Sequence, residues 1–396
     1  MNRRILALLL VLVMVAGLMT GCASGRQEAA APETAQTESP AAEETTAEPE
    51  QTEESPAEEE APAEPETVSF TDSLGRTVEL PADITRIAPS GAVATMILAA
   101  IAPECMVTIN AAPSESQIAF LPANLAALPE TGQMYGSKAD LNLETLLAAD
   151  PQVVIDLGDK KGDMTEDLDA LQEQIGIPVI FIEADLPHMA EAFRTLGGLL
   201  SGKADRGEEL AALVDRTTTM AEENAAKITD DMRVRAMYTT GEDGLGTNAA
   251  GSMQAQVLDM VGVENAVVVE DVSNKGGGNI ISLEQLYNFD PDVILFADGS
   301  IYSTVMDDSA WSQLTAISIG KYYEVPGSPY SWLSGPPSMN MILGVWWLGN
   351  LIYPEIYDYD METMTQELYK TLWGYELSSE EVTALLGNST LKAAAQ

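Results

Sequence analysis

The sequence predicts an α/β protein: two similar α/β lobes joined by a long helical connector. Three observations carry this. Short apolar strands alternate with helices from residue 67 onward, the pattern of parallel sheets covered by helices. One unit occurs twice: Leu143-Glu144-Thr145-Leu146 with Asp150-Pro151-Gln152-Val153-Val154, and Leu283-Glu284-Gln285-Leu286 with Asp290-Pro291-Asp292-Val293-Ile294. Its offset of 140 residues is too long for a solenoid period and suits a duplicated lobe. Between the copies runs a helical stretch, residues 187–230, interrupted only at Gly197-Gly198 and Ser201-Gly202. It reads either as one spanning helix or as two joined at the glycines.

The first 66 residues stand outside that architecture. Arg3 and Arg4 precede an apolar run over residues 5–19, too short for a comfortable membrane span and suited to a signal-peptide core, so residues 1–21 are expected to be a signal. The run ends Leu18-Met19-Thr20-Gly21-Cys22, which resembles a bacterial lipobox with Met19 where Leu is usual. That resemblance implies cleavage before Cys22 and lipidation of its sulfur, anchoring the chain to the outer face of the cell membrane. Residues 23–66 are mainly Ala, Glu, Pro and Thr. They cannot bury apolar surface and repel one another, so 22–66 is expected to be an extended tether.

The N-terminal lobe is expected over 67–186. Val68-Ser69-Phe70 and Thr77-Val78-Glu79-Leu80 alternate around the turn Asp72-Ser73-Leu74-Gly75-Arg76, a hairpin. A strand at 86–88 leads through Pro89-Ser90-Gly91 into a helix at 92–101. Further strands are expected at 106–109, 153–156 and 179–182, with helices at 143–149 and 166–174. The C-terminal lobe, 231–396, follows the connecting segment. Its strands are expected at 234–239, 266–269, 293–297 and 322–325, and its helices at 254–261, 339–351, 361–373 and 379–386.

Composition narrows the function. The chain has 396 residues, and about 150 per domain gives two domains. A hydrophobic fraction of 46% supports a sizeable core. The net charge of −43, from 62 acids against 19 bases, opposes nucleic acid as a partner. One histidine, His188, cannot supply a zinc cluster, and a catalytic set would rest on it and carboxylates alone. The two cysteines, Cys22 and Cys105, offer no disulfide framework. The run Gly241-Glu242-Asp243-Gly244-Leu245-Gly246 lacks the dinucleotide pattern, and there is no phosphate-binding Gly-Lys-Ser/Thr loop. No cofactor and no resident metal are expected.

The ordered motifs resemble a family. They are Asp72-x-x-Gly75-Arg76-x-Val78, the two Leu-Glu units, Trp311-x-x-Leu314-x-Ala316, Gly320-Lys321-Tyr322-Tyr323-x-Val325-Pro326, Pro336-Pro337-Ser338, Trp347-Leu348 and Tyr353-Pro354-Glu355. Together they resemble the lipid-anchored substrate-binding proteins of ABC importers for iron complexes (siderophore or haem) and cobalamin. The resemblance implies two α/β lobes joined by a long rigid connecting helix with a ligand cleft between the lobes, and a monomer that captures an iron chelate, haem or a corrinoid in that cleft and delivers it to an ABC permease with its ATPase. It also implies that Glu144 and Glu284, one on each lobe, dock onto permease arginines; Arg–carboxylate pairs are bidentate and orientation-specific.

Family clefts are lined by loops at strand ends. The expected ligand contacts are therefore Ser90, Met134, Tyr135 and Lys160 on the first lobe, and Thr240, Lys275, Asp298, Tyr330 and Trp332 on the second. Tyr330 and Trp332 sit in a Gly/Pro/Ser-rich loop and suit stacking on a bulky chelate; Trp332 equally suits a plug in the inter-lobe core. Two other classes stay open: an exported enzyme or cofactor-processing protein on the same fold, and a binder of an oxyanion such as molybdate.

Overall fold

In the computed structural model, residues 66–136, 140–274 and 276–390 are described. The signal, Cys22, nearly all of the tether and Lys275 lie outside the described residues. Among the described residues no helix is long and apolar enough to cross a membrane.

The N-terminal lobe opens with the expected hairpin, β1 (Thr67–Thr71) and β2 (Thr77–Pro81), paired antiparallel from Thr67↔Pro81 to Thr71↔Thr77. Its turn is built on charge. The Asp72 carboxylate accepts the amides of Leu74 and Arg76 (3.0 and 2.9 Å) and pairs with the Arg76 guanidinium (3.0 Å). Arg76 also donates to the Val179 carbonyl (3.1 Å), which docks the hairpin onto the lobe's sheet. Gly75, at φ 81°, supplies the left-handed residue of the turn.

β3 (Ile87–Pro89) runs into α1 (Ala92–Ile101); then come α2 (Glu115–Ile118), α3 (Leu143–Ala148), β4 (Val153–Gly158), α4 (Met164–Ile175) and β5 (Val179–Glu183). The three strands form a parallel sheet in the order β3-β4-β5. Alternation along the strands separates two cores. Ile87, Val153, Ile155 and Ile180 face the large central core. Ala88, Val154, Val179 and Phe181 face a smaller outer core closed by Leu146 of α3 and Met164, Leu168 and Leu171 of α4. The strand expected at 106–109 is reduced to two isolated bridges, Ile87↔Met106 and Ile109↔Glu130.

The connecting segment is two helices, α5 (Met189–Leu199) and α6 (Ala204–Ala225). The Gly197-Gly198 pair does not break the chain. Gly197 lies where the helices cross, and a Cβ on Gly207 would stand 2.6 Å from the Phe193 carbonyl oxygen and 2.8 Å from the Gly197 Cα. The break falls at Ser201-Gly202, with Gly202 at φ 71°, and is tied to the N-terminal lobe by the Ser201 amide on the Ile84 carbonyl (3.1 Å). The long connector is thus α6 alone, 22 residues or about 33 Å. Arg206 on α6 donates to the carbonyls of Ala100, at the end of α1, and Thr371 near the chain's C-terminus (2.9 and 2.6 Å).

The C-terminal lobe contains β6 (Arg235–Thr240), β7 (Gly246–Thr247), α7 (Gln256–Met260), β8 (Glu264–Asn265), β9 (Asn279–Ile280), α8 (Leu283–Phe289), β10 (Val293–Phe296), α9 (Thr315–Ser318) and β11 (Tyr322–Glu324). Strands β11, β10, β6 and β8 are parallel, and β7 and β9 extend the sheet antiparallel. The strand expected at 266–269 is absent; the chain pairs at 264–265 instead. Ala236, Tyr238, Val293 and Leu295 join the central core, while Met237, Ile294 and Phe296 pack in a second outer core with Trp311 and Leu314. Three helices close the fold: α10 (Met341–Ile352), α11 (Met361–Trp373) and α12 (Ser379–Leu386). The central core draws residues from both sheets and from α1, α5, α6, α10 and α11, so one continuous apolar body joins the lobes. A close-packed interior of this kind resists deformation.

Candidate functional site

A cavity of about 360 Å³ opens between the lobes. From the N-terminal lobe, Ser114, Ser116 and Gln117 line it. They belong to a capping box: the Ser114 hydroxyl accepts the Gln117 amide (3.3 Å), and the Gln117 side chain accepts the Ser114 amide (2.9 Å). From the C-terminal lobe come Tyr238 on β6, Ala297 and Asp298 just after β10, and Gly327, Pro329, Tyr330, Ser331, Ser334 and Gly335 of the Pro-rich loop. The loop crosses Asp298 closely, since a Cβ on Gly327 would stand 2.9 Å from the Asp298 Cβ.

The lining is rich in neutral hydroxyls. The Tyr238 hydroxyl meets that of Ser331 at 3.4 Å. Burial pushes the Tyr330 phenol up to about 12. Burial also raises Tyr238 to about 12, against the opposing effect of the Ser331 hydrogen bond. Both phenols are therefore neutral donors at neutral pH. Among the described residues of the lining, Asp298 supplies the single carboxylate, and no lysine, arginine or histidine joins it.

Of the expected ligand residues, Asp298 and Tyr330 line this cavity. Trp332 does not: it is fully buried, with its ring centroid 6.4 Å from that of Tyr369. A Cβ on Gly344 would stand 2.1 Å from the Trp332 carbonyl oxygen, which shows how tightly α10 packs there. Trp332 is the core plug rather than the stacking surface, because the loop turns its ring inward. Thr240 is not among the lining residues either; its hydroxyl donates to the Gly277 carbonyl (3.3 Å).

Ser90, Met134, Tyr135 and Lys160 form a separate group on the N-terminal lobe. Ser90, just past β3, is buried and donates its hydroxyl to the Asp156 carboxylate on β4; its carbonyl accepts the Met134 amide (2.8 Å). Burial raises Asp156 to about 6, with the Ser90 hydrogen bond and the Lys161 charge acting in the opposite direction. Its second oxygen, Oδ2, is buried without a hydrogen-bond partner, as is the Tyr135 hydroxyl. Lys161 lies 5.2 Å above the Tyr135 ring. Lys160 pairs with Glu183 at the end of β5 (2.7 Å). A cavity of about 520 Å³ nearby is confined to this lobe, between Asn110 and Asn142.

Sequence reasoning passed over Ser114, Gln117 and Tyr238. The Ser-x-x-Gln capping signature marks the first two, and Tyr238 hides inside a correctly expected strand. His188 ends a single helical turn before α5, its imidazole against the Asp185 carboxylate. Among the described residues no group of three or more His, Cys, Asp or Glu is placed to hold a metal ion.

Glu144 and Glu284 are exposed in the first turns of α3 and α8. The two units share more than sequence. Asn142 and Ser282 cap the helices, each accepting the amide three residues on (3.1 and 3.2 Å). Each unit ends on a left-handed aspartate, Asp150 at φ 49° and Asp290 at φ 35°, the two non-glycine residues of that kind among the described residues. An arginine of the preceding strand region donates to each aspartate's carbonyl, Arg86 at 2.9 Å and Arg235 at 3.3 Å.

The periplasmic binding protein family model matches residues 105–329, more than half of the chain. Among solved structures, the chain is 28% identical to an ABC transporter solute binding protein from Sulfurospirillum deleyianum, covering 81% of this chain and 99% of that one with a TM-score of 0.74. A periplasmic solute binding protein from Veillonella parvula is 22% identical, covering 82% and 98%, with a TM-score of 0.68. The molybdate periplasmic binding protein MolA of Haemophilus influenzae is 20% identical, covering 78% and 99%, with a TM-score of 0.65. At these two lower identities the likeness shows the fold alone. No curated protein sequence matches the chain.

Proposed function

The chain belongs to the periplasmic binding protein family, and on that premise we propose that it captures an iron complex or a corrinoid outside the cytoplasm and hands it to an ABC permease. Members of this family are substrate-binding proteins of ABC importers. The observation that supports the ligand class is the inter-lobe cavity, lined by Ser114 and Gln117 from one lobe and by Tyr238, Asp298, Tyr330 and Ser331 from the other. Neutral hydroxyls and a carboxylate, with no cation among the described lining residues, suit a neutral or cationic ligand, such as a hydroxamate-type ferric complex or a corrinoid. The same lining is unfavourable for a catecholate complex or for haem with its propionates.

Binding is by modest closure of the lobes, because the continuous core and the Arg206 contacts stiffen the connection. No chemical step is required of the chain, and among the described residues the cavity lining offers one carboxylate without a histidine, cysteine or lysine beside it. Glu144 and Glu284 dock on the permease, and lipidation at Cys22 tethers the protein to the membrane. Of the other residues expected at the ligand, Ser90, Met134, Tyr135, Lys160 and Thr240 are outside the cavity lining and act on the ligand only if the lobes close further over it, and Lys275 is proposed from its sequence position alone. The hydroxyl lining favours one second reading, a small oxyanion held by Ser and Tyr donors, which the Asp298 carboxylate opposes.

The test is a thermal-shift titration of the full chain with ferric hydroxamates, ferric catecholates, haem, cobalamin, cobinamide and molybdate. A true ligand at about 100 times its Kd stabilises by roughly 2.7 kcal/mol, a shift of a few degrees. A shift with a hydroxamate complex or corrinoid, lost in Tyr330→Ala, supports the proposal. A shift with molybdate alone selects the second reading, and no shift across the panel overturns both.

A further inference from the structure

The repeated docking unit is not repeated at its surface. The offset of 140 aligns Asp140, Leu143, Glu144 and Leu147 with Ile280, Leu283, Glu284 and Tyr287. In the second unit three apolar side chains are exposed, Ile280 by 79%, Leu283 by 41% and Tyr287 by 40%. In the first unit Leu147 is exposed by 46%, but Leu143 packs half-buried on the outer core and the place of Ile280 is taken by Asp140. Leu283, Glu284 and Tyr287 fall within about 100° of the α8 circumference, and Ile280, at the end of β9, lies three residues before the helix. The Tyr287 hydroxyl donates to the Ala310 carbonyl (2.9 Å), which fixes the ring on the surface. Single exposed apolar residues need no explanation, whereas a cluster of them around a carboxylate marks an interaction surface.

We propose that the two lobes dock unequally: Ile280, Leu283 and Tyr287 make the C-terminal lobe the anchoring foot on the permease, and Asp140 and Glu144 make the N-terminal lobe a steering foot. The proposal rests on the reading of Glu144 and Glu284 as docking carboxylates. Charge complementarity identifies the occupant. Neither carboxylate has a cationic partner among the described residues, and a carboxylate ringed by apolar groups fits a cation set in an apolar rim. The same carboxylate on two copies of one unit fits a partner that presents this cation twice, a two-fold permease. Apolar anchors govern how slowly a complex dissociates, while exposed charges govern how fast it forms and how salt affects it.

The experiment uses the full-length chain in membranes of its own cell, with a benzophenone amino acid at Ala148 or at Asn288, the residues that follow Leu147 and Tyr287 in sequence. Both positions are expected to give an adduct to one multi-spanning membrane protein that copurifies with an ATPase. Ile280→Ser combined with Leu283→Ser should cut both adduct yields about tenfold, the loss typical of removing interface anchors. Asp140→Asn combined with Leu147→Ser should cut them less than about threefold, as rim groups do. Equal losses, or the reverse order, overturn the anchoring proposal. If Glu144→Gln and Glu284→Gln abolish the adducts while the apolar changes leave them intact, docking stands and the anchor falls. If neither position yields such an adduct in the unsubstituted chain, the docking reading itself falls. Melting curves of each variant confirm that it is folded.

Discussion

The two Leu-Glu units set the two lobes side by side. Both begin with a side-chain cap, both end on a left-handed aspartate whose carbonyl takes an arginine, and both feed a parallel strand whose neighbours are in the same relation, Ile87↔Val153 and Ala236↔Val293. Two residues further along the strand from Val154 and Ile294 the lobes part. Position 156 is a buried aspartate bound to Ser90, whereas position 296 is a phenylalanine against Trp311, with ring centroids 5.4 Å apart. The base of the unit is common scaffolding. The strand tip is where each lobe takes its own character, one with a buried charge and the other with an aromatic core.

The sharpest way to break the comparison is to give the second lobe the first lobe's residue. Phe296→Asp would put a carboxylate into an aromatic core, among the rings of Trp311, Tyr302 and Tyr322. Losing a buried aromatic ring costs 3–5 kcal/mol by itself, and burying an unpaired charge adds to that, so about 5 kcal/mol or more is expected in urea unfolding. A cost near 1 kcal/mol would mean that the outer core of the C-terminal lobe is far more open than its packing indicates.

The next effect is smaller and depends on pH. Asp156 is raised from 3.8 to about 6 by burial. The folded chain therefore holds this proton more tightly than the unfolded chain does. Its contribution favours folding below about pH 4 and is lost as pH rises through about 6. Asp156→Asn keeps an acceptor for the Ser90 hydroxyl and removes the titration. The stability of the variant relative to the parent is expected to rise between pH 4 and 7, by at most about 3 kcal/mol. A difference that stays flat over that range would show that Asp156 ionises as an exposed carboxylate does.

Much of this contrast was legible in the sequence, and the missing parts have physical causes. The repeat was visible because helix, proline stop and aliphatic strand are each local signals. The helices at 92–101, 361–373 and 379–386 were readable to the residue: the first is a continuous apolar run after Ser90-Gly91, and the other two have an Asp360 or Ser378 cap that agrees with apolar spacing. The strands expected at 106–109 and 266–269 failed because β-branched runs report burial, and pairing depends on distant partners. The connecting segment was open between one helix and two. The Gly197-Gly198 pair gives no local sign that it serves a helix crossing rather than a break. Asp298 and Tyr330, which line the inter-lobe cavity, were visible as candidates because they lie in loops next to expected strand ends. Trp332 was open between cleft and core, since composition marks a loop residue without showing which way its ring turns.

The smallest predicted effect tests the common base of the units. Asp150 and Asp290 hold φ values of 49° and 35°, where an L side chain crowds its own backbone and glycine does not. Glycine at either place relieves that crowding but gives the unfolded chain more freedom, and the two terms oppose each other. Each substitution is expected to shift stability by no more than about 1 kcal/mol. The informative quantity is the comparison between them. If the two turns are built alike, Asp150→Gly and Asp290→Gly should agree within about 0.5 kcal/mol, and the double variant should equal their sum, as independent sites do. Glycine also leaves both backbone carbonyls in place for Arg86 and Arg235. An unequal pair would therefore place the divergence of the lobes at the turn itself, six residues before positions 156 and 296.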